Sequence, residues 1–263
     1  MGRGKRMKEI TRHLPTQGVV LRYTNFREAD RMITLLSPNL GKISVMAKGC
    51  RKPNSRLLAA TELFCYGDYV LYKKGDFHIM TQATINDSFY EIRNDIEKLS
   101  YSSYILELTE EVASPGQEDN HLFYLLLQIL SYLCYSDLRP EDITHVYEIK
   151  LMDHLGYRPV LDNCMICGTK ADSYYFDVRQ GGLICGTCHK MEKTGYNIQM
   201  GTIKTMEYIL NMDIKRINIL KIPPSISQEL DRILETYIVE RLEKKLKTRQ
   251  FIEQYTRIKR GLS

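Results

Sequence analysis

The chain has 263 residues, 43% hydrophobic and 26% charged, which is enough material for more than one core and excludes disordered, mucin-like or collagen-like polymers. No run approaches the roughly 18 apolar residues of a membrane helix; the greasiest, Leu122 to Tyr135, is interrupted by Gln128 and Ser131 and predicts a buried helix. The net charge of +5 hides an asymmetry. Residues 1–80 carry fifteen Lys/Arg against six Asp/Glu, a balance of +9; residues 81–170 carry six against fifteen, −9; residues 171–263 are again positive, at +5. The first block suits a polyanion and the second does not.

The basic start, Met1-Gly2-Arg3-Gly4-Lys5-Arg6-Met7, has no apolar run behind it, which argues against a secretory signal. Residues 17–84 then read as β structure. Short runs rich in β-branched and aromatic residues occur at Gly18–Tyr23, Met32–Leu36, Lys42–Ala47, Leu63–Tyr72 and Phe77–Met80. Turn chemistry separates them at Ser37-Pro38-Asn39-Leu40-Gly41 and Lys73-Lys74-Gly75-Asp76. Five short strands fit a small closed barrel better than a sandwich; an OB-fold is the expectation and an SH3-like barrel its rival.

After Asp87 the apolar period changes from two to 3.6. Tyr101, Tyr104, Ile105, Leu108 and Val112 share one helix face, and Ser114-Pro115-Gly116 ends that helix. Leu122 to Leu133 is apolar on nearly all sides, which places it at the centre of a bundle. A third helix follows Pro140 and stops at Leu155-Gly156. Residues 160–190 show no helical period. Helical signals return at about 202–212 and about 226–246, after Pro223-Pro224, and a strongly basic stretch precedes Arg260.

Two C-x2-C pairs, Cys164-Met165-Ile166-Cys167 and Cys185-Gly186-Thr187-Cys188, are the sharpest motif. Zinc prefers tetrahedral thiolates, and each turn offers two sulfurs on one side of an ion. A redox dithiol or a [4Fe–4S] cluster are alternatives; the symmetric pairing favours zinc. Four sulfurs leave no position for water, so such an ion is structural rather than hydrolytic. His189 follows Cys188 and is ranked a bystander. Cys50, Cys65 and Cys134 read as core or surface thiols.

From Gly41 to Arg56 the chain carries Lys42, Lys48, Arg51, Lys52 and Arg56 without an acidic residue. On a barrel, such cations and their Gly/Pro-shaped loop can track a phosphodiester backbone, with Lys73 and Lys74 at a hairpin tip adding charge near Tyr69 and Tyr72. Five phosphates neutralised on a single strand give a log–log salt slope near about −3.5. The bland alternative is a solvated loop. Phosphate-binding loops, dinucleotide fingerprints, zinc-protease helices and the zinc-deaminase arrangement are all absent from the sequence, so binding is a better class of answer than catalysis.

The run Leu155-Gly156-Tyr157-Arg158-Pro159-Val160-Leu161-Asp162-Asn163-Cys164-Met165-Ile166-Cys167-Gly168 resembles the junction between helix and zinc module in the bacterial RecO family of DNA repair proteins. Asn25 to Arg31, Ser37 to Gly41 and Lys48-Gly49-Cys50-Arg51-Lys52-Pro53-Asn54-Ser55-Arg56 are similar to that family's N-terminal barrel, and the likeness spans about residues 10–245. It implies a recombination mediator rather than an enzyme, one that binds single- and double-stranded DNA and anneals complementary strands. With RecR it would help to load RecA onto DNA coated by single-stranded-DNA-binding protein. It implies a bacterial cytoplasmic, nucleoid-associated location. The basic pocket for the acidic tail of single-stranded-DNA-binding protein would draw on Lys204, Lys215, Arg216 or Lys221. The runner-up is an RNA-binding or protein-scaffold OB/zinc-ribbon protein without annealing activity.

The expected architecture is α+β: an N-terminal OB-fold β-barrel (1–84), a helical bundle (85–158 and 193–263, the latter with the basic tail), and a four-cysteine module inserted at 159–192. One structural zinc on Cys164, Cys167, Cys185 and Cys188 is expected, with DNA contacts at Lys42, Lys48, Arg51, Lys52, Arg56, Lys73 and Lys74.

Overall fold

A computed structural model describes residues 13–259, with side chains through Tyr255; the basic segment 1–7 and the end of the basic tail from Arg260 lie outside the described residues. The chain forms two compact units. The first gathers the chain up to Phe89 together with Thr109–Leu127; the second gathers Tyr90–Leu108 and the chain from Gln128 onward.

The first unit is built on a closed barrel of strands β1 (His13–Phe26), β2 (Asp30–Ser37), β3 (Gly41–Ala47), β4 (Tyr66–Lys74) and β5 (Phe77–Asp87), in the order β1-β2-β3-β5-β4. This order, with β1 shared between β2 and β4, is OB-like. β1 is longest because it has two partners: His13–Val19 pairs with β4 and Val19–Phe26 with β2. A bulge between Val20 and Arg22 bends it, as closure requires. A short parallel pairing, Val45↔His78 and Met46↔Ile79, shuts the barrel.

Alternation along the strands sends Val20, Ile33, Leu35, Ile43, Val45, Leu71 and Met80 into one core. Gly18 is needed there because a Cβ would meet the Leu35 side chain at 2.7 Å. β4 begins three residues later than the sequence pattern predicts. Phe64 adopts φ +68° and Cys65 N–H donates to Glu62 O, so Leu63–Cys65 form a turn, which is tied to β1 by Phe64 N–H to Val20 O and Val20 N–H to Cys65 O. β5 runs past Met80 to Asp87, a largely exposed stretch in which only Ala83 and Ile85 interrupt polar residues and which is held by its ladder with β4.

Helices α1 (Ile96–Val112) and α2 (Asn120–Tyr135) contribute residues to both units. The first half of α2 belongs with the barrel, where Phe123 meets Tyr66 edge-on at 6.2 Å. In the second unit α3 (Pro140–His154) packs against α5 (Met200–Asn211) and α6 (Pro224–Leu242), with Pro140 and Pro224 in their first turns. The helix predicted over 226–246 is broken: Glu243 takes φ +52°, and α7 (Lys247–Lys259) starts afresh. The Glu107 carboxylate accepts from the N–H groups of Lys247 (3.1 Å) and Thr248 (2.8 Å) and from the Thr248 hydroxyl, capping that start. Between α3 and α5 lie strands β6 (Tyr174–Asp177), β7 (Gly182–Cys185) and β8 (Tyr196–Ile198), in the order β7-β6-β8, and a short helix α4 (Gly186–Glu192). Among the described residues no helix is long and apolar enough to cross a membrane.

Candidate metal centre and cationic surfaces

The two cysteine pairs sit on two tight turns. In the first, Gly168 at φ +72° lets its N–H reach Cys164 O at 2.8 Å while Cys164 N–H donates to Thr169 O at 3.1 Å. Met165 N–H donates to Leu183 O (2.8 Å), Leu183 N–H to Val160 O (3.0 Å) and Val160 N–H to Gly181 O (3.0 Å), which binds this turn to β7 and the residue before it. The second pair follows from chain direction: Cys185 ends β7 and caps α4, whose first turn carries Cys188. All four sulfurs therefore lie within 4.8 Å of one another, three buried and Cys167 exposed.

The Cys167–Cys185 sulfur separation is 3.7 Å. A disulfide needs about 2.05 Å. The edge of a tetrahedron with metal–sulfur bonds of about 2.3 Å is about 3.8 Å, so the donor set fits a tetrahedral thiolate-bound ion. Burial raises the Cys164 thiol, but backbone hydrogen bonds from Cys167, Cys185 and Ile166 outweigh it and hold the group at about 6. Burial and the three neighbouring thiols drive Cys188 up to about 12. Four thiolates cannot all ionise unaided in so small a space, and a divalent cation among them removes that conflict. His189 takes no part: its ring stacks on Tyr175 with centroids 3.5 Å apart, and its Nδ1 faces Thr194 O at 2.5 Å.

The cationic residues form two groups. Lys48, Arg51, Lys52 and Arg56 are exposed on the β3–β4 connection. That loop is held by its backbone: Gly49 N–H donates to the Asp30 carboxylate (2.7 Å), Arg51 N–H to Ala29 O (2.9 Å) and Lys52 N–H to Gly49 O (3.1 Å), while Cys50 is buried beneath. The Arg51 guanidinium reaches Glu28 O at 3.1 Å. Lys42 and Lys73 instead line a groove of about 500 Å³ together with Arg22, Thr34, Ser44 and His78. Lys42 Nζ donates to Glu110 O, and Arg22 pairs with the Glu110 carboxylate at 2.9 Å. His78 is pushed below its ordinary value by burial and then by the Lys73 ammonium. Lys74 is exposed beside this groove's Lys73 on β4.

Two family models match the chain: the N-terminal model of recombination protein O over residues 10–89 and its C-terminal model over residues 93–250. The chain belongs to the RecO family. Relatives named DNA repair protein RecO include one from Acetivibrio thermocellus, 37% identical over 248 residues, which are 94% of this chain and 99% of that one. The protein from Alkaliphilus metalliredigens is 36% identical over 232 residues (88% and 94%), and that from Bacillus mycoides 33% identical over 240 residues (90% and 96%).

In this RecO-family chain the sequence spacing locates all four clustered thiols, whereas of the seven cations read from sequence four are on a loop, two line a groove and Lys74 is exposed beside it. Arg22 and His78 line the groove and were not singled out. Strand alternation does not mark Arg22, because the bulge between Val20 and Arg22 breaks the period and leaves Arg22, paired with Thr34, in the groove while Val20 and Tyr23 face the core. Arg31 also escaped notice: it is 8% exposed, lies over the Tyr23 ring at 4.0 Å and pairs with Glu62 at 2.7 Å, so it braces the barrel.

Proposed function

We propose that the chain is a recombination mediator that binds DNA through the β3–β4 loop of its barrel, anneals complementary strands and, with RecR, helps load RecA onto DNA coated by single-stranded-DNA-binding protein. The observation that carries this reading is a backbone-anchored loop presenting Lys48, Arg51, Lys52 and Arg56 to solvent on an OB-like barrel. Cations without base-reading partners suit sequence-independent phosphate contact. Annealing then needs no bond made or broken, since screening phosphates while leaving base edges open lowers the repulsion between strands. Enzymatic chemistry has no part in it.

Labour divides along the chain in this reading: residues 1–84 take DNA, the helices of 85–158 and 193–263 take protein partners, and residues 159–192 hold one structural zinc on Cys164, Cys167, Cys185 and Cys188. When bound, the ion neutralises the thiolates and fixes the two turns. The net-acidic stretch 81–170 repels an acidic tail, so the pocket for single-stranded-DNA-binding protein draws on basic residues such as Lys204, Lys215, Arg216 and Lys221.

The test is oligonucleotide affinity as a function of salt, with annealing of complementary strands measured in parallel. Changing Lys48, Arg51, Lys52 and Arg56 together to Glu is expected to abolish both while leaving the circular dichroism unchanged. In the wild type those four contacts supply about 2.8 of the salt slope. Unchanged affinity in the folded variant defeats this reading in favour of a protein scaffold, and a strong preference for RNA of the same sequence favours an RNA-binding role.

A further inference from the structure

A second cluster of ionisable side chains lies inside the second unit, away from the thiols in sequence. Glu141, His145 and Glu148 share one face of α3, Asp231 and Glu235 come from α6, Arg249 from α7 and Tyr104 from α1. His145 is 1% exposed, and neither of its ring nitrogens makes a hydrogen bond. Glu148 is equally buried; one oxygen accepts from the Tyr104 hydroxyl at 2.7 Å and the other, Oε2, has no hydrogen bond. Burying polar atoms unsatisfied is costly, so an arrangement with several in one place asks for a missing partner.

The charge balance names its sign. Three acidic side chains, Asp231, Glu235 and Glu148, face one guanidinium, Arg249, which lies 2.6 Å from Asp231 Oδ1 and 3.6 Å from Glu235, and Glu141 adds a fourth beside His145. Burial pushes the Glu148 and Glu235 carboxyls above their ordinary values, and with neutral imidazole the two that remain, Glu141 and Asp231, still outnumber the guanidinium. The geometry narrows the choice between a proton and a metal. His145 Nε2 stands 3.7 Å from Asp231 Oδ1, too far for a hydrogen bond. Nitrogen and oxygen ligands of one zinc-class ion stand about 3.4 Å apart at the tetrahedral angle, close to the separation seen. A ligand atom from each of Glu141, His145 and Asp231 lies within 4.8 Å of the other two. Glu141 and His145 are one helical turn apart, the spacing that aims two ligands at one ion.

We infer that Glu141, His145 and Asp231 form a second metal site, which takes a divalent transition ion through one imidazole nitrogen and two carboxylate oxygens. This mixed nitrogen and oxygen donor set suits zinc, cobalt or manganese, whereas Cu(I) and iron–sulfur clusters want thiolates. Arg249 does not exclude the ion, because a carboxylate has acceptor room for a guanidinium and a metal, and hydrogen-bonded carboxylates are the usual companions of metal sites. Access is open: the Asp231 side chain is 35% exposed and Glu141 is half-buried.

The test uses the full-length protein with its thiol cluster already loaded with zinc, titrated with Co²⁺ and followed by visible absorption and metal count. The expected result is one further equivalent whose spectrum lacks a thiolate-to-cobalt band. His145→Gln should remove that equivalent while retaining the thiol-bound zinc. Glu141→Gln, at a half-exposed position that cannot unfold the helix core, should weaken binding at least tenfold. Cobalt that binds only with a thiolate band, that fails to bind, or that binds the wild type and both variants alike would overturn the proposal.

Discussion

The barrel and the four-cysteine module solve the same problem by different means. Strands of the barrel run to 7–14 residues and bury a continuous apolar core around Val20, Leu35 and Leu71. The module's strands have three or four residues, and its own buried cluster is Ile184 with three of the cysteines themselves. At about 25 cal/mol per Å² of apolar surface, the first stands on burial. The second also buries Phe176, Leu183 and Ile198, but on strands of three or four residues, so its two turns depend on their sulfurs. Hydrophobic cores and thiolate cages therefore respond to opposite insults.

The sharpest way to break that contrast is to remove one sulfur. Cys164→Ser or Cys185→Ser should release the ion and unfold residues 160–198, since binding at such sites is worth about 10–16 kcal/mol of apparent free energy. Metal content and limited proteolysis read the loss, while the amide resonances of β1–β5 should keep their dispersion. A chelator should reproduce the effect in the wild type. The converse is Leu35→Ala, at a fully buried barrel position. It should cost about 2–5 kcal/mol in urea unfolding of the barrel and leave metal content unchanged. If either substitution disturbed both regions equally, the two would not be separately stabilised.

These regions also differed in how plainly the sequence announced them. Cysteine spacing is a covalent-scale signal, and all four sulfurs converge as it implies. Barrel strands were legible where one face is buried, as at Met32–Leu36, and not where pairing is purely backbone, as over Thr81–Asp87. The halt at Glu243 was invisible because a left-handed residue other than glycine carries no sequence mark. Lys42 reads like Lys48 in sequence; only the fold shows its ammonium spent on a carbonyl. His145 had only Glu141, one turn earlier on α3, as a local cue, since Asp231 comes from a helix far along the chain.

The barrel's two groups of cations can be separated in the same spirit, with smaller effects. Lys52→Ala, at an exposed loop position, should lower the slope of log affinity against log salt by about 0.7 and leave stability unchanged. Lys42→Ala should instead lose the Glu110 tether and lower the unfolding free energy by about 1 kcal/mol, with little change in slope. Fluorescence anisotropy over a salt series, paired with urea melts, distinguishes the two. Equal slopes would mean that both groups touch phosphate.

The smallest effect concerns α7, which neither a large core nor an ion holds at its start. Burial tends to raise the Glu107 carboxyl, but the Thr248 hydroxyl and the N–H groups of Thr248 and Lys247 donate to it and bring it below its ordinary value. A carboxylate depressed in the folded state contributes stability that is complete above its unfolded value, near about 4.3, and fades as pH falls through the lower folded one. Glu107→Gln keeps the shape and one acceptor oxygen but loses the charge, which reduces the cap by about 1 kcal/mol at neutral pH. Amide exchange in α7 should therefore quicken in the variant at about pH 7, and the gap should close on acidification as the wild type is protonated. Because the cap is local, β1–β5 and the thiol turns should exchange at wild-type rates throughout; a difference that persisted in acid would assign the effect to packing rather than to the carboxylate's charge.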